Sequence, residues 1–301
     1  MGSKVFGISL KPETKWNLFD QLNLQEYVNH NICDITDLKK LEKLILEIEP
    51  EIIFHLAAQP LVRKSYRFPI KTWETNVMGT INLLNSINKL ENQCIGIMIT
   101  TDKVYENKNW LFGYRETDNL GGNDPYSSSK AACELVINSW RKSFFINENR
   151  ASKHFIASAR SGNVIGGGDW SEDRILPDII RSLNSEKKLK VRNPKATRPW
   201  QHVLDPLSGY LKLVEKINYK DVSLCSSFNF GPKFDSIKDV ESLIEEVFKH
   251  WEGRWELDLE ENNLHEAEKL SLNIEKAHHE LGWIPKWSFE QSISKTINWY
   301  K

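Results

Sequence analysis

Tyr126 and Lys130 lie four residues apart, which puts a phenol and an ammonium on one face of a predicted helix. An adjacent positive charge favours the tyrosinate and lets the phenol act as a base nearer neutral pH. The spacing alone is a weak signal, since a solvated helix face would show it too. A second cluster strengthens it: Thr100-Thr101-Asp102-Lys103 closes the apolar run CIGIMI, about 25 residues before Tyr126. Thr101 can donate a hydrogen bond to a substrate hydroxyl, and Asp102 and Lys103 set an acid beside a base. The competing reading is a turn that solvates two charges.

These residues need elements to position them. Strand-like runs at Lys4–Ser9, Glu51–Ala58, Cys94–Thr101 and His154–Arg160 alternate with helical stretches at Asp37–Ile48, Thr72–Ile87 and Tyr126–Phe145. VNHNI, ending at Ile32, reads as a further strand. Such alternation predicts an α/β fold with a doubly wound parallel sheet, in which ligands bind beyond the carboxyl ends of the strands. Thr101 follows one such strand. After residue 163 the pattern loosens into Gly-, Pro-, Asp- and Arg-rich loops (GGGDWSEDRILPD) and shorter helices. A smaller substrate lobe is expected over 164–301, with 203–230 partly crossing back to the first domain, 1–163.

Composition narrows the classes. Forty basic against 41 acidic residues give no charge excess for nucleic acid or a membrane surface. No stretch approaches the roughly 20 apolar residues of a bilayer span, and the start does not read as a signal peptide. Cys33, Cys94, Cys133 and Cys225 are too scattered for a zinc site or disulfide framework, so a reduced, cytoplasmic protein without a structural metal is expected. GGGDW does not open a helix as a dinucleotide phosphate loop must.

Several segments together carry a resemblance: HLAAQP (55–60), ETNVMGTINLL (74–84), TTDKVYEN (100–107), DPYSSSKAACE (124–134) and SARSGNVIGGGDWSEDRILPD (158–178). They are similar to the extended short-chain dehydrogenases/reductases that act on nucleotide sugars. Asp-Lys after the threonine, GGGDW followed by Asp-Arg, RPWQHV (198–203) and HEAEKLSLNIEKAHHELGWIPKW (265–287) resemble the CDP-glucose 4,6-dehydratases within that group, which convert CDP-glucose with bound NAD.

The resemblance implies roles. Tyr126 would take the proton of the sugar 4-hydroxyl as C4 is oxidised, with Thr101 orienting that hydroxyl. Lys103 would take the C5 proton and Asp102 would protonate the departing C6 hydroxyl. Lys130 would also hold the nicotinamide ribose. Asp34 and Ile35 fit the adenine position, although Asp34 could instead be a helix N-cap. Ala57, Ala58 and Gln59 fit the backbone path beside the NAD phosphates, Asn76 a polar bridge near the active site, and Arg160 the neighbourhood of the nicotinamide. For CDP-glucose, Asn163 fits a sugar-nucleotide contact, while Arg174 and Arg198 offer forks for the pyrophosphate. His202 is a lesser candidate, more in keeping with a structural histidine. A homodimer through helices near 72–87 and 126–145 is also implied.

The chain departs from the family at its start. A dinucleotide-binding sheet begins with a strand, a glycine-rich turn and a helix, whereas Met1–Leu10 resembles the family's second strand. In the order 3-2-1-4-5-6 this leaves the central position vacant. Lys4–Ser9 and Ile52–Leu56 are then expected either to face each other across a one-strand gap of about 9–10 Å or to close up and pair. Two alternatives stay open: another nucleotide-sugar epimerase or dehydratase, and a non-catalytic chain that binds a nucleotide sugar.

Overall fold

The computed structural model describes residues 2–146, 154–217, 222–258 and 269–301. The stretches 265–268 and 218–221, which enter two of the sequence expectations above, lie outside the described residues. In chain order the elements are β1 (Phe6–Ser9), α1 (Leu18–Gln21), β2 (Asn29–Ile32), α2 (Leu38–Ile48), β3 (Ile52–His55), α3 (Val62–Arg67), α4 (Pro69–Trp73), α5 (Gly79–Asn88), β4 (Cys94–Ile99), α6 (Pro125–Trp140) and β5 (His154–Arg160). There follow β6 (Val164–Ile165), α7 (Ile175–Asn184), β7 (Leu189–Val191), β8 (Thr197–Pro199), β9 (Gln201–His202), α8 (Leu204–Lys216), β10 (Ser227–Asn229), β11 (Ile237–Asp239), α9 (Val240–His250), β12 (Trp255–Leu257) and α10 (Phe289–Tyr300).

Local signals account for the main elements. The Asp37 side chain caps α2 by accepting from the Lys40 amide, Leu41 and Ile45 bury its inner face, and Glu49 ends it in a left-handed turn. Asp124 caps α6 in the same way, with Pro125 at its first position. The stretch expected as one helix over Thr72–Ile87 is interrupted. Glu74–Met78 form a π-helical turn, in which the Gly79 amide reaches back to the Glu74 carbonyl. Residues 141–145, expected as the end of the Tyr126 helix, are a second π turn.

Strands β3, β4, β5 and β10 make a parallel sheet in the order β10-β5-β4-β3. Side chains alternate along β4. Cys94 and Met98 join a core with α2, α5 and α6, whereas Ile95 and Ile97 join one with α8 and residues 277–283. Helices therefore cover both faces, as the sequence predicts. A third core, built from Leu176, Ile179, Ile180, Val191, Leu243, Val247 and Ile293, underlies the later part of the chain.

Strand β1 pairs in parallel with β2 and belongs to a separate sheet. It does not pair with β3, so the two have not closed together. Among the described residues no strand bonds to the facing edge of either one. Strands β1 and β2 thus form a sheet apart from the one that holds β3. The β1–β2 part is tied to the rest by packing of Ile8, Cys33 and Ile35 into the first core and by Asn82, which donates to the carbonyls of Ile35 and Thr36.

Candidate active site

A cavity of about 440 Å³ opens beyond the carboxyl ends of β4 and β5. Its wall includes Thr101, Asp102, Lys103 and Tyr126 from the sheet side, and Asn163, Arg174 and Arg198 from the later part of the chain. Thr101 caps a single 3-10 turn, Asp102–Val104, which throws Asp102 and Lys103 off the end of the strand. The Thr101 hydroxyl stands 3.0 Å from Asp102 Oδ1 and hydrogen-bonds the Tyr126 phenol.

The acid and the base are perturbed in opposite senses. Asp102 is 1% exposed, and burial pushes its carboxyl up against the pull of Lys103, a Thr101 hydrogen bond and Arg198. Burial pushes the Lys103 ammonium down; Asp102 opposes this, and Arg198 and Arg174 add to it. The pair is driven toward a protonated carboxyl beside a neutral amine, the states an acid and a base must occupy before they act.

Tyr126, Lys130 and Glu134 form one buried stripe on α6. The Tyr126 amide donates to Ser65 Oγ at 3.2 Å, and its carbonyl accepts from Ser129 Oγ at 2.7 Å. Burial pushes the phenol up, while the Thr101 hydrogen bond and the Arg174 charge hold it down. Lys130 Nζ donates to the Ile99 carbonyl at 3.1 Å. Burial lowers its ammonium against the charges of Cys133 and Glu134. An ammonium bears three donors, so this buried group keeps two beyond the bond to Ile99. That donor set would suit the vicinal hydroxyls of a ribose, although Lys130, like Arg160, is not among the residues lining the cavity.

The remaining candidates divide. Gln59 and Asn76 are buried and bonded to each other: the Gln59 amide donates to Asn76 Oδ1 at 2.7 Å, and Asn76 Nδ2 reaches both the Gln59 carbonyl and Ser129 Oγ. Asn76 sits in the π turn and couples the loop after β3, with Ala57 and Ala58, to α6. Asp34 bonds the Thr36 amide and hydroxyl and pairs with Lys71; the helix cap is Asp37. Ile35 is buried against Gly79, where a β-carbon would stand 2.4 Å from it. Asn163 follows β5 with a φ of 47°, a left-handed conformation stored at the cavity wall. Arg174 crosses to the loop after β3 by donating to the Pro60 carbonyl at 3.0 Å.

Two further candidates are engaged by other side chains. The Arg160 guanidinium is buried and taken up by Glu134 at 2.9 Å, the Tyr105 hydroxyl at 2.8 Å and Ser227. It lies outside the cavity wall, because the alternation of β5 turns it toward a buried carboxylate. His202 also lies outside the wall: its ring packs edge-on to Trp287 at 4.3 Å and its Nδ1 accepts from the Leu204 amide. Burial lowers its pKa against the opposing charge of Asp205.

The wall also holds Ser161, which the resemblance puts beside Arg160 near the nicotinamide, and residues that the sequence did not single out, among them Gly162, Lys190 and Arg192. The alternation of Lys190 and Arg192 about buried Val191 was the available signal for the last two. Among the described residues, no group of three His, Cys, Asp or Glu side chains is placed to hold a metal ion, and no helix is long and apolar enough to cross a membrane.

The sequence pattern of the GDP-mannose 4,6 dehydratase family matches residues 2–296. The CDP-glucose 4,6-dehydratase of Salmonella typhimurium is 43% identical over 100% of this chain and 84% of its own length. The chain belongs to this dehydratase family. Among solved structures, the dTDP-glucose 4,6-dehydratase of Bacillus anthracis in complex with NAD superimposes with a TM-score of 0.79 at 23% identity, covering 99% of this chain and 87% of that one. A UDP-glucose 4-epimerase of Thermotoga maritima with UDP-glucose gives 0.82 at 22%, covering 99% and 91%. At those identities the likeness is one of fold.

Proposed function

We propose that this dehydratase-family chain converts CDP-glucose to CDP-4-dehydro-6-deoxyglucose with NAD as resident cofactor. The reaction type rests on one observation: Asp102 and Lys103, perturbed in opposite directions, share a cavity wall with Tyr126. An epimerase has no use for that pair. The cytidine nucleotide rests on the Salmonella relative.

When bound, NAD supplies a two-electron acceptor at C4 and returns the electrons at C6. Tyr126 takes the 4-hydroxyl proton, with Thr101 holding that hydroxyl. The resulting 4-ketone acidifies the C5 hydrogen, which Lys103 removes as a neutral amine. Asp102, protonated, gives its proton to the C6 hydroxyl as water leaves. Lys130 binds the nicotinamide ribose. Asp34 and Ile35 would meet the adenine, and Ala57, Ala58 and Gln59 would line the phosphates. Asn163, Arg174 and Arg198 hold the sugar and pyrophosphate from the lobe over 164–301.

The assembly is a cytoplasmic homodimer. Packed together, α4 and α6 and the π turns that follow them hold out Ile70, Trp73, Met78, Leu135 and Phe144, all exposed, and a second copy would cover them. The test is product formation from CDP-glucose against dTDP-, UDP- and GDP-sugars. Turnover of another nucleotide in preference to CDP-glucose would overturn the substrate. The open seam between β1 and β3 favours a second reading, a chain that binds nucleotide sugars without turning them over. Calorimetric titration with NAD separates the two, because that chain would release no heat of cofactor binding.

A further inference from the structure

Gly162 lies one residue beyond Ser161, on the backbone that passes over the 3-10 turn. A β-carbon built there would stand 1.9 Å from Asp102 Oδ2 and 2.0 Å from its carboxyl carbon. The neighbouring Ser161 carbonyl accepts the Asp102 amide at 3.1 Å, so carboxyl and backbone are fixed face to face. Asp102 Oδ2 is buried and has no hydrogen-bond partner among the described residues. The short aspartate side chain cannot yield to a methyl group without leaving its place. Gly162 has no positive φ to explain it, so the space taken by the carboxyl is what the glycine provides.

We propose that Gly162 is a positioning residue for the acid of the elimination step, its bare Cα forming the floor of a dry niche that any side chain would close. The proposal deepens the function above and rests on Asp102 being that acid. Four groups act on the carboxyl or are acted on by it: Lys103 beside it on the turn, Thr101, whose hydroxyl donates to its Oδ1 at 3.0 Å, Arg198 from β8, and Tyr126 from α6. Both cations favour the ionised carboxylate, and only exclusion of water opposes them. Pushing the carboxyl out of the niche removes that opposition, and the acid becomes a carboxylate with no proton to give.

The test does not need turnover. In protein labelled with carboxyl-13C aspartate, the Asp102 resonance is the one missing from Asp102→Asn. In the native chain its midpoint lies above the ordinary carboxyl range; in Gly162→Ala it moves back toward that range. Coincident midpoints overturn the proposal. A thermal-unfolding cycle covers the case in which Gly162→Ala folds poorly. The penalty of Gly162→Ala should shrink markedly once Asp102→Ala has emptied the niche. An equal penalty in both backgrounds, up to failure to fold in both, also overturns it. Absence of CDP-glucose turnover in the native chain would sink the proposed function while leaving both readouts intact.

Discussion

Tyr126 gains its setting from burial, a Thr101 hydrogen bond and the bond of its amide to Ser65. Removing only the phenolic oxygen, Tyr126→Phe, keeps the ring and its packing. It should lower kcat for CDP-glucose by well over tenfold, with nucleotide-sugar binding by calorimetry unchanged; turnover within tenfold of native would remove Tyr126 from the chemistry. Lys103→Ala acts one step later. It should leave oxidation at C4 and stop elimination, so that quenched reactions contain 4-keto sugar retaining its 6-hydroxyl. Loss of the first step instead would mean Lys103 is not the C5 base. At this scale the sequence was legible for the meeting of Thr101, Asp102, Lys103 and Tyr126, which share one cavity wall. It was not legible for Arg160, whose family position suggested a cofactor contact. That side chain's direction depends on Glu134, 26 residues away in sequence, and on Ser227, farther still. Gly162 was missed for a related reason: its role lies in an absent atom, and the need for that absence shows only when Asp102 is in place.

At the scale of elements, α6 is held by Glu134. This buried carboxylate accepts from Thr100, Ser158, Ser227 and Arg160, tying the helix to β5, β10 and the residue just after β4. Burial alone would raise its pKa; the Arg160 charge and the hydrogen bonds from Arg160, Thr100 and Ser158 hold it down at about 2. Glu134→Gln leaves a buried guanidinium without its countercharge and should cost about 3–5 kcal/mol in denaturant unfolding. The sign with pH follows from the lowered value. The carboxylate contributes its full stability above its ordinary pKa of 4.5 and loses it as pH falls toward about 2. The native chain should therefore lose stability over that acid window more steeply than Glu134→Gln; parallel acid limbs would show that the pair contributes nothing. Strand and helix order were readable from the period of apolar residues. The π turns were not, since an inserted residue leaves the apolar pattern nearly helical. Asn76 was the one residue out of place in that stretch, and it marks the first of them.

For the whole molecule, the proposed homodimer would rest on the exposed apolar side chains of α4 and α6. Leu135 stands 61% exposed on a helix whose other face carries Tyr126 and Lys130. Leu135→Glu should convert a dimer to monomers in sedimentation velocity. An unchanged sedimentation coefficient would place the contact elsewhere. The cavity itself draws its wall from residues 60 to 258, so its shape could not be read from any single window of sequence.

The seam between β1 and β3 has a consequence for local opening. Backbone bonding joins β3, β4, β5 and β10 into one unit, but among the described residues none crosses to β1 and β2. The β1–β2 pair can therefore detach at a free energy below that of global unfolding, as a small foldon of its own. Amide protons of Phe6–Ser9 and Asn29–Ile32 should exchange with deuterium sooner than those of Cys94–Ile99. Asp34 rides on that foldon, whereas Lys130 is anchored to the main body. A dinucleotide gripping both would act as a staple across the seam. By linkage its affinity would be diminished by the work of holding the two parts together, and it should slow exchange in β1 and β2 while leaving β4 unchanged.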